Sequence, residues 1–184
     1  MAELPFDPNQ LNTKDKQTYE AMVAERKKLG SPFDGPYAAL MNHPALCQKI
    51  EAVGTYLKFN GHLPRNVYQF IVLAVARYTN TAFEWADHVE HALAAGVSAD
   101  TIQTLKEKGV AHASFSAPYQ LAAAILTLTL TWKDIPASLQ KLAIDAYGME
   151  GFVEVVVLSG FYQLFSAVNQ GFDIPLRDGT PMPW

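Results

Sequence analysis

Phe83-Glu84-Trp85-Ala86-Asp87-His88-Val89-Glu90-His91-Ala92-Leu93-Ala94-Ala95-Gly96 is the stretch that organises this chain. At about 100° per residue, Glu84, His88, His91 and Ala95 fall along one line, with Asp87 beside it. Ala82, Trp85, Ala86, Val89, Ala92 and Leu93 form a broad apolar stripe on the opposite side, the side a core would cover. Gly96 stands where such a helix closes with a left-handed residue. The spacing predicts one helix carrying a carboxylate and two imidazoles in register on adjacent turns. Any chemistry is expected there.

Outward from this helix the chain reads as helix almost throughout. On its N-terminal side, Pro64 opens an apolar helix over Asn66 to Tyr78, which reaches the central stretch through Thr79-Asn80. Before that, Pro44 starts a helix over Ala45 to Phe59, with Leu46, Ile50, Val53 and Leu57 at helical spacing. Asn60-Gly61-His62 is the turn between the two. Phe33 to Asn42 is a short segment interrupted by Gly35-Pro36. Thr13 or Asp15 caps a helix running to about Leu29, which Gly30-Ser31-Pro32 stops. Residues 1–12, with Pro5 and Pro8, are an irregular arm.

On the C-terminal side, Ser98 caps Asp100 to Lys108, and Ala117-Pro118 starts Tyr119 to Trp132. Pro136 begins Ala137 to Tyr147, and Gly148 to Gly151 separates that helix from Phe152 to Asn169. The tail, residues 173–184, contains Pro175, Pro181 and Pro183 and is expected to be extended. No pair of β-branched runs flanks a hairpin turn. The expected architecture is one all-α domain over residues 1–184, a bundle of seven or eight helices.

Composition narrows the function. The 184 residues are 49% hydrophobic and 17% charged, which suits a single packed domain. A formal net charge of −4, with no dense run of Lys or Arg, argues against a nucleic-acid partner. The single cysteine, Cys47, excludes an intrachain disulfide and a dithiol redox pair. Together with an acidic N-terminus lacking an apolar signal core, it points to the cytoplasm. Phe152 to Val168 is the most apolar run, but Glu154, Ser159, Gly160 and Gln163 make it a buried helix in preference to a membrane span.

Glu84-Trp85-x-x-His88, followed by Ala92 and Gly96-Val97, resembles the signature of the carboxymuconolactone decarboxylase family, which includes the alkylhydroperoxidase D-like proteins. Flanking features agree: Asn42-His43-Pro44, Leu63-Pro64-Arg65, Ala76-Arg77, Tyr147-Gly148, Gly160-Phe161-Tyr162 and Asp173-Ile174-Pro175. The resemblance covers about residues 33–178. It implies an alkylhydroperoxidase D-like helical bundle that assembles into a homo-oligomer, with a dimer or trimer as building unit. It also implies a small cavity beside the motif helix, near a subunit boundary.

Two departures shape the expected chemistry. The redox branch of the family carries C-x-x-C-x-x-x-H on the motif helix, whereas this chain has Thr81 and Glu84 at the cysteine positions. A thiol relay needs two thiols, so dithiol peroxide reduction is not expected. Gln69 replaces a Glu that members often carry on the preceding helix, and an amide cannot accept a proton at pH 7. The decarboxylase-like branch fits better. It implies a cofactor-free enzyme for a small carboxylate or lactone, with His88 as acid/base and Glu84 as its orienter or a second base. Gln69 would donate a hydrogen bond to a developing enolate oxygen. A neighbouring carboxylate would raise the imidazole pKa and fix its tautomer.

Plainer readings stand beside these. Glu84 and His88 also fit an i,i+4 pair on a wet helix face. His91 extends the pair or is a solvated or packing histidine, Asp87 is a surface charge, and Trp85 is core. Arg65 and Arg77 are candidate anchors for a substrate carboxylate, or ion pairs at a surface or interface. Cys47 is a buried, inert thiol. Glu84, His88 and His91 would need a further ligand from His43, His62 or His112 to hold zinc, and no paired spacing supplies one, so no metal is expected. Phe152 to Val168 and Tyr119 to Trp132 are each apolar nearly all round, and one of them should meet another subunit. The tail ending at Trp184 is a candidate to wrap that neighbour. The alternative to an enzyme is a non-catalytic helical oligomer that binds a small ligand.

Overall fold

Prolines and capping side chains set most of the helix starts. The computed structural model describes residue 4, residues 6–111 and residues 115–184. Among the described residues there are eight α-helices and no strand. They are α1 (Thr13–Lys28), α2 (Gly35–Leu40), α3 (Pro44–Thr55), α4 (Arg65–Tyr78), α5 (Ala82–Ala94), α6 (Ala99–Lys108), α7 (Ala117–Thr129) and α8 (Ala137–Gly171). Proline occupies a first-turn position in α2, α3 and α7 and precedes α4 and α8, where its missing N–H costs nothing. Ser98 caps α6 by accepting from Thr101 N. The cap of α1 is Asn12, one residue before Thr13, accepting from Asp15 N. Pro5 lies outside the described residues.

The helix enclosed on every side is α4. Its residues from Val67 to Ala76 are all buried, and it packs against α5, α6, α7 and α8. Phe70 is fully buried and stacks on Tyr119 at 4.8 Å between ring centroids. Truncating it to Ala would cost about 3–5 kcal/mol by the usual cavity penalty. Neither helix expected from its composition to be apolar all round is enclosed. In α8 the buried residues Glu154, Val155, Leu158, Ser159, Tyr162, Phe165, Ser166 and Asn169 recur every three or four positions, while Val153, Val156, Val157 and Leu164 face outward. In α7, Ala122, Ile125 and Leu126 are buried, and Trp132 just beyond its end is 87% exposed. Length and composition alone would let α8 cross a membrane. Its inward side, however, carries four buried polar residues, Glu154, Ser159, Ser166 and Asn169.

Three local features place the site. First, α3 widens at its end into a π-helical turn, Tyr56–Asn60, where the sequence predicted plain helix to Phe59. Second, Glu154 of α8 accepts from the backbone N–H groups of His62 (2.8 Å) and Leu63 (3.0 Å), which clamps the loop into α4. Its carboxylate comes so near that a Cβ at Gly61 would lie 2.9 Å from Glu154 Oε2, so glycine is required there. Third, α8 breaks at Gly148 alone, at φ 74° and ψ 173°. The expected four-residue separator is one residue long, and helix resumes before Gly151.

A smaller layer of α1, α2 and α3 encloses Met22, Met41 and Cys47. The tail packs on its own chain. It returns under α5, where Trp184 packs edge-on to the buried Trp85 at 5.4 Å and lies over the Arg77 guanidinium.

Candidate functional site

Burial, not spacing alone, decides what α5 presents. Glu84 and His88 are each 4% exposed, so they do not sit on a wet helix face. Glu84 and His88 turn inward against α4 and α8, while His91 on the same line is exposed and Leu93 of the supposed core stripe is 47% exposed.

His88 is held from both ring nitrogens. Its Nδ1–H donates to Gln69 Oε1 at 2.9 Å, and its Nε2 accepts from the Tyr162 hydroxyl at 3.2 Å. Tyr162 is in turn linked to the Tyr68 hydroxyl at 3.0 Å. A carbonyl oxygen on Nδ1 fixes the tautomer that leaves Nε2 as an acceptor. The tautomer is therefore set by Gln69, not by a carboxylate. Glu84 Oε2 and Asp87 Oδ2 lie 3.9 Å and 3.8 Å from Nε2, beyond hydrogen-bond range. The expected rise in the imidazole pKa does not occur. Burial pushes it well below its ordinary value, Lys58 and His91 push the same way, and the Asp87 charge opposes them too weakly.

Burial acts on Glu84 in the other direction, raising its carboxyl from 4.5 to about 7, although Asn169 Nδ2 donates to its Oε1 at 2.8 Å. The wall of the site thus holds a neutral imidazole and a carboxyl that titrates near neutrality. The Tyr68 hydroxyl is pushed up to about 12 and that of Tyr162 well above its ordinary value, chiefly by burial. Both tyrosines stay protonated donors at neutral pH.

These groups border a cavity of about 60 Å³ between α5, α8, α3 and α1. Glu84, His88, Tyr68 and Tyr162 form one wall. Arg26, Glu51, Lys58 and Arg177 also line the cavity. Arg177 of the tail bridges two elements, with Nε on Asp34 Oδ2 and Nη1 on Asp87 Oδ1, both at 2.5 Å. Asp87 is thus an anchor for the tail, not a free surface charge. Burial would raise its pKa, but His88, Arg177 and Lys58 together hold it below the ordinary carboxylate value.

The other predicted residues sit elsewhere. Gln69 is fully buried and acts on His88, with its Nε2 lacking a partner among the described residues; it does not line the cavity. Trp85 is core. His91 is exposed, its ring 5.9 Å from that of His88, and it is not part of the cavity wall. Arg77 donates to Lys106 O, and Arg65 donates to Lys58 O while lying over the Tyr68 ring. Both guanidiniums are engaged with backbone outside the cavity. His43 is exposed at the start of α3, His62 contacts Glu154, and His112 lies outside the described residues. Among the described residues no three His, Cys, Asp or Glu side chains gather as metal ligands. Cys47 is buried, and its thiol is pushed up to about 12, first by burial and then by Glu51.

Sequence reasoning missed Tyr162, Asn169, Lys58, Glu51 and Arg177. For α8 a signal existed: Ser159, Tyr162, Ser166 and Asn169 recur at three- and four-residue steps through an apolar run, which marks a polar inward stripe. A model of the carboxymuconolactone decarboxylase family matches residues 44–126 of the chain. That segment includes Gln69, Glu84 and His88 but neither Tyr162 nor Asn169. No curated protein and no solved structure matches.

Proposed function

The chain belongs to the carboxymuconolactone decarboxylase family through residues 44–126, and on that premise we propose that it is an enzyme removing CO2 from, or moving a proton within, a small carboxylate or lactone. Decarboxylation leaves an electron pair on carbon that must be held as an enolate and then protonated. A general acid works best when its pKa lies near the working pH. Glu84 meets that condition by burial and is assigned the proton transfer at carbon. His88 stays neutral, and Gln69 and Tyr162 hold it in place. Its role is to hold the Tyr162 hydroxyl, which donates to it and accepts from Tyr68; the Tyr68 hydroxyl, on the cavity lining, is the one that can turn its proton to the enolate oxygen. This exchanges the roles first expected for His88 and Glu84 and makes Gln69 a positioning residue.

The observation that carries the proposal is the Glu84 carboxyl, buried and raised to about 7 on a cavity wall beside a doubly held imidazole. Such pairs of environment-shifted groups mark acid–base sites. The test is CO2 release and proton exchange measured over a panel of small β-oxo acids and lactones, with wild type, Glu84→Gln and Tyr162→Phe. Loss in Glu84→Gln, with the fold intact by circular dichroism, supports the assignment. Ligand binding without turnover in wild type across the panel would favour a binding module.

We also propose a homo-oligomer, working in the cytoplasm. Val53 and Tyr56 of α3 and its π turn, with Met149, Val153 and Val157 of α8, line an open apolar groove of about 570 Å³, and each is more than two-fifths exposed. Contiguous apolar surface of that kind is uncommon on soluble monomers, and a two-fold related copy would cover it. Light scattering at micromolar concentration should give a multiple of the subunit mass.

A further inference from the structure

We propose that Lys58 is the anion-binding residue of this cavity, and that its ligand is a small carboxylate bearing a second oxygen function such as an oxo or hydroxyl group. This rests on the cavity being the substrate site proposed above, and it identifies what recognises the substrate there.

Three cations line the cavity: Arg26, Lys58 and Arg177. Two are engaged. Arg177 is divided between Asp34 and Asp87. Arg26 donates through Nε to Pro32 O at 2.8 Å, and its guanidinium lies 4.1 Å from the centre of the Tyr37 ring. Lys58 is different. Its Nζ makes a long hydrogen bond to Ser31 Oγ at 3.5 Å and lies 5.4 Å from the centre of the Phe59 ring, and among the described residues it forms no salt bridge. Burial lowers its pKa, and Arg65 and Arg26 add to this against Asp87 and Glu84. An ammonium that has lost water without gaining a counter-ion is under-solvated. An entering carboxylate supplies what it lacks.

The backbone is arranged to hold Lys58 there. It lies in the π-helical turn Tyr56–Asn60, and insertions of this kind often occur at functional sites. Leu57 beside it is buried in the core. Arg65 Nη1 donates to Lys58 O at 2.8 Å, which ties the turn to the first residue of α4. The role read for Arg65, that of meeting the carboxylate, thus passes to the lysine whose backbone it holds.

The second oxygen function follows from Glu51, about two helical turns earlier. It lines the same cavity, and its Oε1 is buried with no partner among the described residues. Burial shifts its carboxyl toward the protonated form; that form donates to an oxo or hydroxyl oxygen, and the carboxylate form accepts from a hydroxyl. The 60 Å³ of the cavity is room for roughly four or five water-sized groups, the scale of a short aliphatic acid.

Calorimetric titration of the full chain with sodium pyruvate and with pyruvamide, at matched ionic strength, tests this without reference to turnover. Wild type should bind pyruvate and not the uncharged amide. Lys58→Met should weaken pyruvate binding about tenfold or more, the scale on which losing one charged partner acts. Lys58→Arg should keep much of the binding. A measurement on the unaltered chain stands beside the variants: the Lys58 ammonium resonance should titrate at higher pH when pyruvate is bound. Equal binding of the amide, pyruvate binding that survives Lys58→Met, or no binding to wild type would each overturn the proposal. So would borohydride trapping of pyruvate as a secondary amine on Lys58, which would make the attachment covalent. If pyruvate binding follows Lys58 while turnover ignores Glu84, the acid–base reading fails and this one stands.

Discussion

The two walls of the cavity are built by different rules. The wall of Glu84, His88, Tyr68 and Tyr162 is drawn from α4, α5 and α8, is almost dry, and has its hydroxyls and imidazole joined in one hydrogen-bond chain. The wall of Arg26, Lys58, Glu51 and Arg177 comes from α1, α3, the π turn and the tail, and is partly exposed to solvent. Buried dipoles and shifted carboxyls keep their strength because water cannot screen them. Partly exposed charges are weaker and more easily rearranged. The comparison separates a wall suited to moving protons from one suited to admitting and holding a charged ligand.

The sharpest way to break this division is at the dry wall. Glu84→Gln should lower turnover by roughly 10² or more, the scale of a positioned acid or base, and His88→Asn should do the same by loosening Tyr162. Full activity in either folded variant would make the dry wall structural. Tyr162→Phe should lose less, on the order of tenfold, because Tyr68 remains beside it. An unchanged rate there would remove the hydroxyl pair from the chemistry.

Stability against pH sharpens the same contrast. The Glu84 pKa rises on folding from 4.5 to about 7, so the protonated form favours the fold. Its contribution is full below about pH 4.5 and is lost as pH rises towards 7. The His88 pKa falls on folding from 6.5, so its contribution is full above about pH 6.5 and is lost as pH falls. Urea unfolding should therefore show Glu84→Gln gaining on wild type as pH rises from about 4.5 to 7. His88→Asn should gain on wild type as pH falls below 6.5. Each swing should be on the order of 1–3 kcal/mol, and opposite signs would show that burial does not govern these groups.

Smaller effects are expected at the open wall and in the layer behind it. Arg177→Met removes a partly exposed ion-pair bridge and should cost about 1 kcal/mol or less, while easing proteolysis of the tail. Cys47→Ser replaces a thiol whose Sγ lies 3.7 Å from Tyr37 O with a hydroxyl able to reach the same carbonyl. It should leave any native activity unchanged, and no dithiol-driven hydroperoxide reduction should be seen before or after the change. Peroxide turnover that vanished in Cys47→Ser would bring thiol chemistry back.

The dry wall was legible in the sequence because half of it lies on one helix. Glu84 and His88 share a face by spacing alone, and Gln69 was found through the family resemblance. What spacing could not show was whether that face turned to water or to protein. The two cases reverse the sign of the His88 shift, because desolvation outweighs the neighbouring carboxylate. The open wall was not legible. Arg65 and Arg77 were the natural candidates at the ends of α4, but each meets a nearby backbone carbonyl. Of the charges that do reach the cavity, Lys58 and Arg177 are set there by a π turn and by a tail, and neither has a periodicity to read. The same limit explains the enclosed helix. Apolar content pointed to α7 and α8, yet α4 is the one surrounded, because enclosure depends on how many neighbours pack around an element.

The tail contact has a consequence for how the site comes into being during synthesis. Asp34 and Arg177 are 143 residues apart, Glu84 and Asn169 are 85 apart, and Tyr162 follows His88 by 74. A ribosome finishes α5 long before the groups that neutralise and orient its acid–base pair have been made. Contacts of such long sequence separation form late, after the loops between them have closed. The nascent chain therefore carries an unassembled site until the stretch from Tyr162 to Arg177 has been made. A chain clipped before Tyr162 would lack the side chains that hold His88, Glu84 and Asp87, however well its first helices had folded.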